Sequence, residues 1–117
     1  MPETTYKIAG QLIGRLRDHV KNDPNYGTRK KSRWICEAIC QMREEDKRLS
    51  YLGVGSEIEV FDSVDKVSIT SEAQEAIADI IRRIRTEDPL TEGIQSDIIR
   101  SAILYRLRKD NKVRSED

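Results

Sequence analysis

The sequence predicts a mainly α-helical fold with a short β-ribbon, built from two copies of a strand–helix–helix unit in one chain. Three observations carry that prediction. Shifting the sequence by 64 residues superposes Ser32 on Ser96, Ile35 on Ile99, Ala38 on Ala102 and Ile39 on Ile103. The same 64-residue shift brings Ile13 onto Ile77, Leu16 onto Ile80 and Val20 onto Ile84. Each unit also reads in one order: an alternating stretch, an amphipathic run, an Asp-Pro break (Asp23-Pro24, Asp88-Pro89) and a second amphipathic run. A unit of roughly 45 residues is too small to bury a core alone, so the two copies predict an intramolecular pseudo-dimer.

The second unit, residues 66–112, is the cleaner copy. Val67 and Ile69 alternate with Lys66, Ser68 and Thr70, the period of a half-buried strand. Ser71 stands as N-cap of the helix that follows, with Glu72 and Glu75 where the helix dipole favours negative charge. Ala73, Ala76, Ile77, Ile80, Ile81 and Ile84 recur at helical spacing and form one apolar stripe. Asp88 ends that helix, because a residue before proline is pushed out of the α region. Ser96 opens the second helix, with Ile98, Ile99, Ala102, Ile103 and Leu107 inward and Tyr105, Arg106, Arg108 and Lys109 outward.

The first unit, residues 1–48, follows the same plan less cleanly. Tyr6 and Ile8 face the core while Thr5 and Lys7 face outward, but Gly10 and Gly14 weaken the helix after them. Leu12, Ile13, Leu16 and Val20 still make an inner stripe, and Trp34, Ile35, Ala38, Ile39 and Met42 make the next. The strand aligns under a shift of about 61 instead of 64, which implies one helical turn fewer before the break. Residues 49–65 read as a linker, in which Ile58, Val60 and Phe61 alternate like a short extra strand. Residues 113–117 read as a frayed tail.

Composition is that of a soluble globular chain, 36% charged and 37% hydrophobic. No stretch approaches the ~20 apolar residues of a membrane span, and the N-terminus lacks a leader's apolar core. These features predict a cytoplasmic protein without a membrane partner. Cys36 and Cys40 lie on one predicted helix, where reduced thiols are the default. The net charge of zero is unevenly spread: +4 over residues 1–48, −4 over 49–65 and balanced from 66 onward. Salt screens distant charges beyond about 8–10 Å, so a local positive field can still attract a polyanion.

Gly93-x-x-Ser96-Asp97-Ile98-Ile99-Arg100-x-Ala102-Ile103, following a strand and a helix, resembles the ribbon-helix-helix family of Arc- and MetJ-type DNA readers. The resemblance covers nearly the whole chain apart from the connector. It implies that two strands pair into an antiparallel ribbon that enters the major groove, while the second helix of each unit offers its N-terminus to phosphate. Base contact then falls on Lys66, Ser68 and Thr70, with Thr5 and Lys7 from the first unit. Phosphate contact falls on Thr28, Arg29, Lys30, Lys31, Ser32 and Ser96. Two units in one chain are similar to TraY-like relaxosome proteins of plasmid conjugation and to T-DNA transfer accessory factors. A relaxase or other transfer protein, and a higher oligomer on DNA, are the partners this implies beside double-stranded DNA.

Elementary chemistry agrees with the implied site. The major groove admits a two-stranded ribbon and shows a distinct donor and acceptor pattern for each base pair. Lysine suits guanine acceptors, and serine and threonine hydroxyls donate or accept. Helix N-termini add unpaired amides and a positive dipole end. The basic run Arg29-Lys30-Lys31-Ser32-Arg33 precedes just such a terminus.

An enzyme is not expected. His19 is the single histidine, and the sequence carries no glycine-rich phosphate loop. Cys36 and Cys40 with His19 fall short of the four ligands of a structural zinc site, so no metal or cofactor is expected. Cys36 aligns with Arg100, which predicts a partly exposed thiol, and Trp34 aligns with Ile98 as a core filler or an anchor between the repeats. Two other functions stay open on the same residues: a ribbon-helix-helix transcriptional repressor regulating its own gene, and an antitoxin-like module whose ribbon binds a protein.

Overall fold

The computed structural model describes residues 3–27, 30–47, 61–87 and 94–115. Four helices and one two-stranded antiparallel sheet make up the described residues. Strand β1 spans Glu3–Ile8, helix α1 Gly10–Asn22 and helix α2 Lys31–Glu45. The order repeats with strand β2 at Ser63–Ser68, helix α3 at Ser71–Glu87 and helix α4 at Ile94–Ser115. α1 has 13 residues and α3 has 17, a difference of about one turn.

The core is a single cluster to which both halves contribute. Trp34, Ile35, Ala38 and Ile39 of α2 are fully buried, and so are Ile98, Ile99, Ala102 and Ile103 of α4, their counterparts at the 64-residue offset. α2 packs against α4, α3 and β2, all from the other half, and α4 packs against β1. Leu12, Ile13, Leu16 and Val20 close the core from α1, while Ala73, Ala76, Ile77 and Ile80 close it from α3. Arg106 ties α4 to α2: it donates to the Trp34 carbonyl (3.1 Å) and the Tyr26 hydroxyl (2.8 Å), with its guanidinium 4.9 Å from the Trp34 ring centre. His19 presents an edge to the same indole and meets Asp110 at 2.8 Å.

Several expectations change. β2 starts at Ser63, so the last residues assigned to the linker are ribbon and the strand ends at Ser68. The inward slot at 65 holds an aspartate and the outward slot at 64 a valine, which inverts the polarity pattern that marks a strand. Thr70 lies beyond the strand, and its Oγ1 accepts the Ala73 N–H at 3.2 Å; it, rather than Ser71, caps α3. α4 continues through 113–115, into the expected tail. Cys36 is buried, and so is Tyr105. The extra strand expected at Ile58 and Val60 falls outside the described residues.

Ala9 precedes α1 as its N-cap and supplies no side-chain capping bond. The Asp62 carboxylate reaches across from the approach to β2 and accepts the Gly10 N–H at 2.7 Å. A Cβ at position 10 would lie 3.1 Å from Ser63 Oγ and 3.3 Å from Asp62 Oδ1, so glycine lets the two segments approach. The α1–α2 turn closes on Gly27, whose φ of 67° is left-handed and whose N–H donates to the Asp23 carbonyl.

Candidate nucleic-acid interface

The strand register fixes which side chains share a face. Glu3 pairs with Ser68, Thr5 with Lys66 and Lys7 with Val64, and these six point away from the helices. Five of them are exposed, and Ser68 is half-buried. The alternate pairs, Thr4 with Val67, Tyr6 with Asp65 and Ile8 with Ser63, point toward the helices. Tyr6, Ile8, Asp65 and Val67 are all buried there. Thr5–Ile8 pairs with Ser63–Lys66, not with Val67–Thr70 four residues further on.

Beneath the ribbon sits a charged knot. Asp65 retains 5% of its surface; its Oδ2 accepts the Tyr6 hydroxyl at 2.8 Å, and its Oδ1 meets Lys31 Nζ at 2.6 Å and an Arg17 nitrogen at 3.5 Å. Burial, reinforced by the aspartate, holds the Tyr6 phenol far above the usual tyrosine range. A buried carboxylate needs such partners to offset lost hydration. Lys31, expected on phosphate, is thus committed to Asp65, with 23% of its side chain still exposed.

The two helix N-termini grip the ends of the ribbon. Ser32 Oγ accepts the Ser68 N–H at 3.0 Å, and Cys36 Sγ donates to the Ser68 carbonyl at 3.3 Å. At the other end, Arg100 donates to the Lys7 carbonyl at 2.7 Å, pairs with Asp97 and stacks 3.8 Å from the Phe61 ring centre. Ser96 lies in the first turn of α4, half-buried and beside a cleft of about 530 Å³ that Thr5, Lys7, Val64 and Arg100 also line. Lys30, exposed at the head of α2, has its side chain clear of any capping bond. A second hollow of about 280 Å³ is lined by Arg17, Lys21 and Lys31 near Gly27. Thr28 and Arg29 lie outside the described residues.

Of the residues expected to read bases, Thr5, Lys7, Lys66 and Ser68 share one face, and Thr70 does not join them. Glu3 and Val64 complete that face and were not anticipated. Their signal was present in the strict two-residue spacing of Val64, Lys66 and Ser68, hidden because an outward valine resembles a core residue. Arg17 was also missed; nothing in a helical run marks a residue that will reach under a distant strand. The face mixes two ammonium groups, one carboxylate, two hydroxyls and one isopropyl group. It can donate, accept and make apolar contact across a width that a groove can receive. Among the described residues no group of three or more side chains could hold a metal ion, and no helix is long and apolar enough to cross a membrane. Compared with protein-family models, curated proteins and solved structures, the chain matches none.

Proposed function

We propose that this chain is a non-enzymatic, sequence-specific double-stranded DNA-binding protein, a single-chain ribbon-helix-helix pseudo-dimer that lays its ribbon in the major groove. The observation that carries the reading is the register. An offset of 61 turns Glu3 into Val64, Thr5 into Lys66 and Lys7 into Ser68, so the pair Glu3–Ser68 becomes Lys7–Val64 and the pair Thr5–Lys66 becomes itself. The ribbon therefore has an approximate two-fold axis at Thr5–Lys66. The helix offset of 64 relates Cys36 to Arg100, and these donate to Ser68 and Lys7, themselves related by 61. Equivalent residues hold equivalent carbonyls, as a duplicated unit folded on itself requires.

An exposed Lys66 at the axis and Lys7 beside it suit guanine O6 and N7, and the Thr5 and Ser68 hydroxyls suit either donor or acceptor edges. Lys30 suits phosphate. The tandem form supports an accessory role in plasmid conjugation or T-DNA processing, in the cytoplasm and beside a relaxase.

Selection of bound fragments from genomic DNA, followed by footprinting, tests this reading. Protection beside a nick site is the expected result. Protection over the protein's own promoter would favour an autoregulatory repressor, and no enrichment of any sequence would favour a protein-binding ribbon. Lys66→Ala should weaken specific binding by about 1–3 kcal/mol while leaving random DNA little affected. Lys30→Ala should weaken both alike and lower the salt slope by about one unit.

A further inference from the structure

We infer that Val64 reads the methyl group of a thymine, and that it does so at one end of the ribbon only, which gives the bound element a direction. The inference rests on the DNA-binding reading and goes beyond it by naming a base and a polarity. Val64 is 65% exposed and is the one large hydrophobic side chain so exposed among the described residues. An exposed valine on a surface is ordinary by itself; its location is what matters. It stands on the outward face directly opposite Lys7, two residues from Lys66, at one end of the charged and hydroxylated surface that would face the groove.

The floor of the major groove offers one apolar group, the C5 methyl of thymine. An isopropyl side chain can neither donate nor accept, so against a base edge this methyl is its sole favourable partner. Lys7, across the ladder from Val64, would meet guanine acceptors next to that thymine. At the other end of the ribbon the equivalent slot holds Glu3, opposite Ser68. A carboxylate there accepts from the cytosine amino group and gains nothing from a methyl. The two ends therefore ask for different bases, and the Arg100–Phe61 stack borders the valine end.

The test uses the full chain and its selected DNA element. Each thymine is replaced in turn by deoxyuridine, which keeps the base pair and removes the methyl. At one position, displaced to one side of the element's centre, affinity should fall about fourfold, the effect of losing one buried methyl group. With Val64→Ala that uracil sensitivity should vanish, while thermal stability holds, since the residue is mostly exposed. Val64→Ile should preserve the sensitivity. A specific element with no uracil-sensitive position, or with a sensitivity that survives Val64→Ala, would overturn the methyl contact and leave DNA binding intact. Two sensitive positions placed symmetrically about the centre would overturn the polarity. Failure to enrich any sequence would remove the DNA reading, and this assignment with it.

Discussion

At the scale of single residues, Asp65 decides more than any lysine on the surface. Its carboxylate is buried beneath the ribbon and held chiefly by Lys31 and the Tyr6 hydroxyl. Lys31→Ala leaves that charge short of its nearest cation and should destabilise the fold by about 1–3 kcal/mol. Lys66→Ala, on the outer face, should stay within about 0.5 kcal/mol of the parent. Chemical denaturation of both variants compares them directly; equal stabilities would show that Arg17 or water replaces Lys31. Adding Asp65→Asn to Lys31→Ala should recover part of the loss, because the buried charge disappears with its partner. Any loss of DNA binding in Lys31→Ala must accordingly be read after its stability is known, whereas Lys30→Ala is free of that complication.

Tyr6 sets a second expectation at this scale. Its phenol is held above the ordinary value of 10.0 by burial and by Asp65, and Tyr26 and Tyr105 shift the same way beside Glu37 and Glu45. Above that value the unfolded chain releases phenolic protons that the folded chain keeps, so stability present below pH 10 is lost as pH rises. Thermal melts should be flat up to about pH 9 and fall beyond about pH 10. Tyr6→Phe should start lower and fall less steeply. A parent protein as stable at about pH 11 as at about pH 8 would contradict the assignment.

At the scale of elements, α1 carries two glycines with opposite meanings. Gly14 lies inside the helix with open space around a would-be Cβ, and Gly14→Ala should stabilise by about 0.5–1 kcal/mol through backbone entropy alone. Gly10→Ala should forfeit that gain, because its Cβ would press on Ser63 and Asp62. Asp62→Ala should cost about 1 kcal/mol as the trans cap of α1 is lost. Melting temperatures of the three variants rank them. The inner stripes of all four helices were legible in the sequence because a period of 3.6 repeats several times within each. Strand β2 was legible at Val67 and misread at its start, because one buried acid is enough to invert a six-residue pattern. The outer ribbon face could be read at Thr5, Lys7, Lys66 and Ser68 from alternation. Its missing members, and the cations beneath it, depend on partners about 30 to 60 residues away that no local pattern records.

At the scale of the molecule, each half leans on the other. α2 packs on elements of the second half and α4 on the strand of the first. Residues 1–52 or 56–117 expressed alone should therefore be unfolded or self-associating. A cooperative melt from either fragment as a monomer would contradict that dependence. Because β1 and β2 belong to one chain, pairing them is a unimolecular step. A ribbon assembled from two separate chains dissociates on dilution, whereas tethered strands meet at an effective concentration of about millimolar whatever the number of molecules present. The melting temperature of this protein should thus be independent of its concentration. A cell holding a handful of copies would hold a handful of complete ribbons.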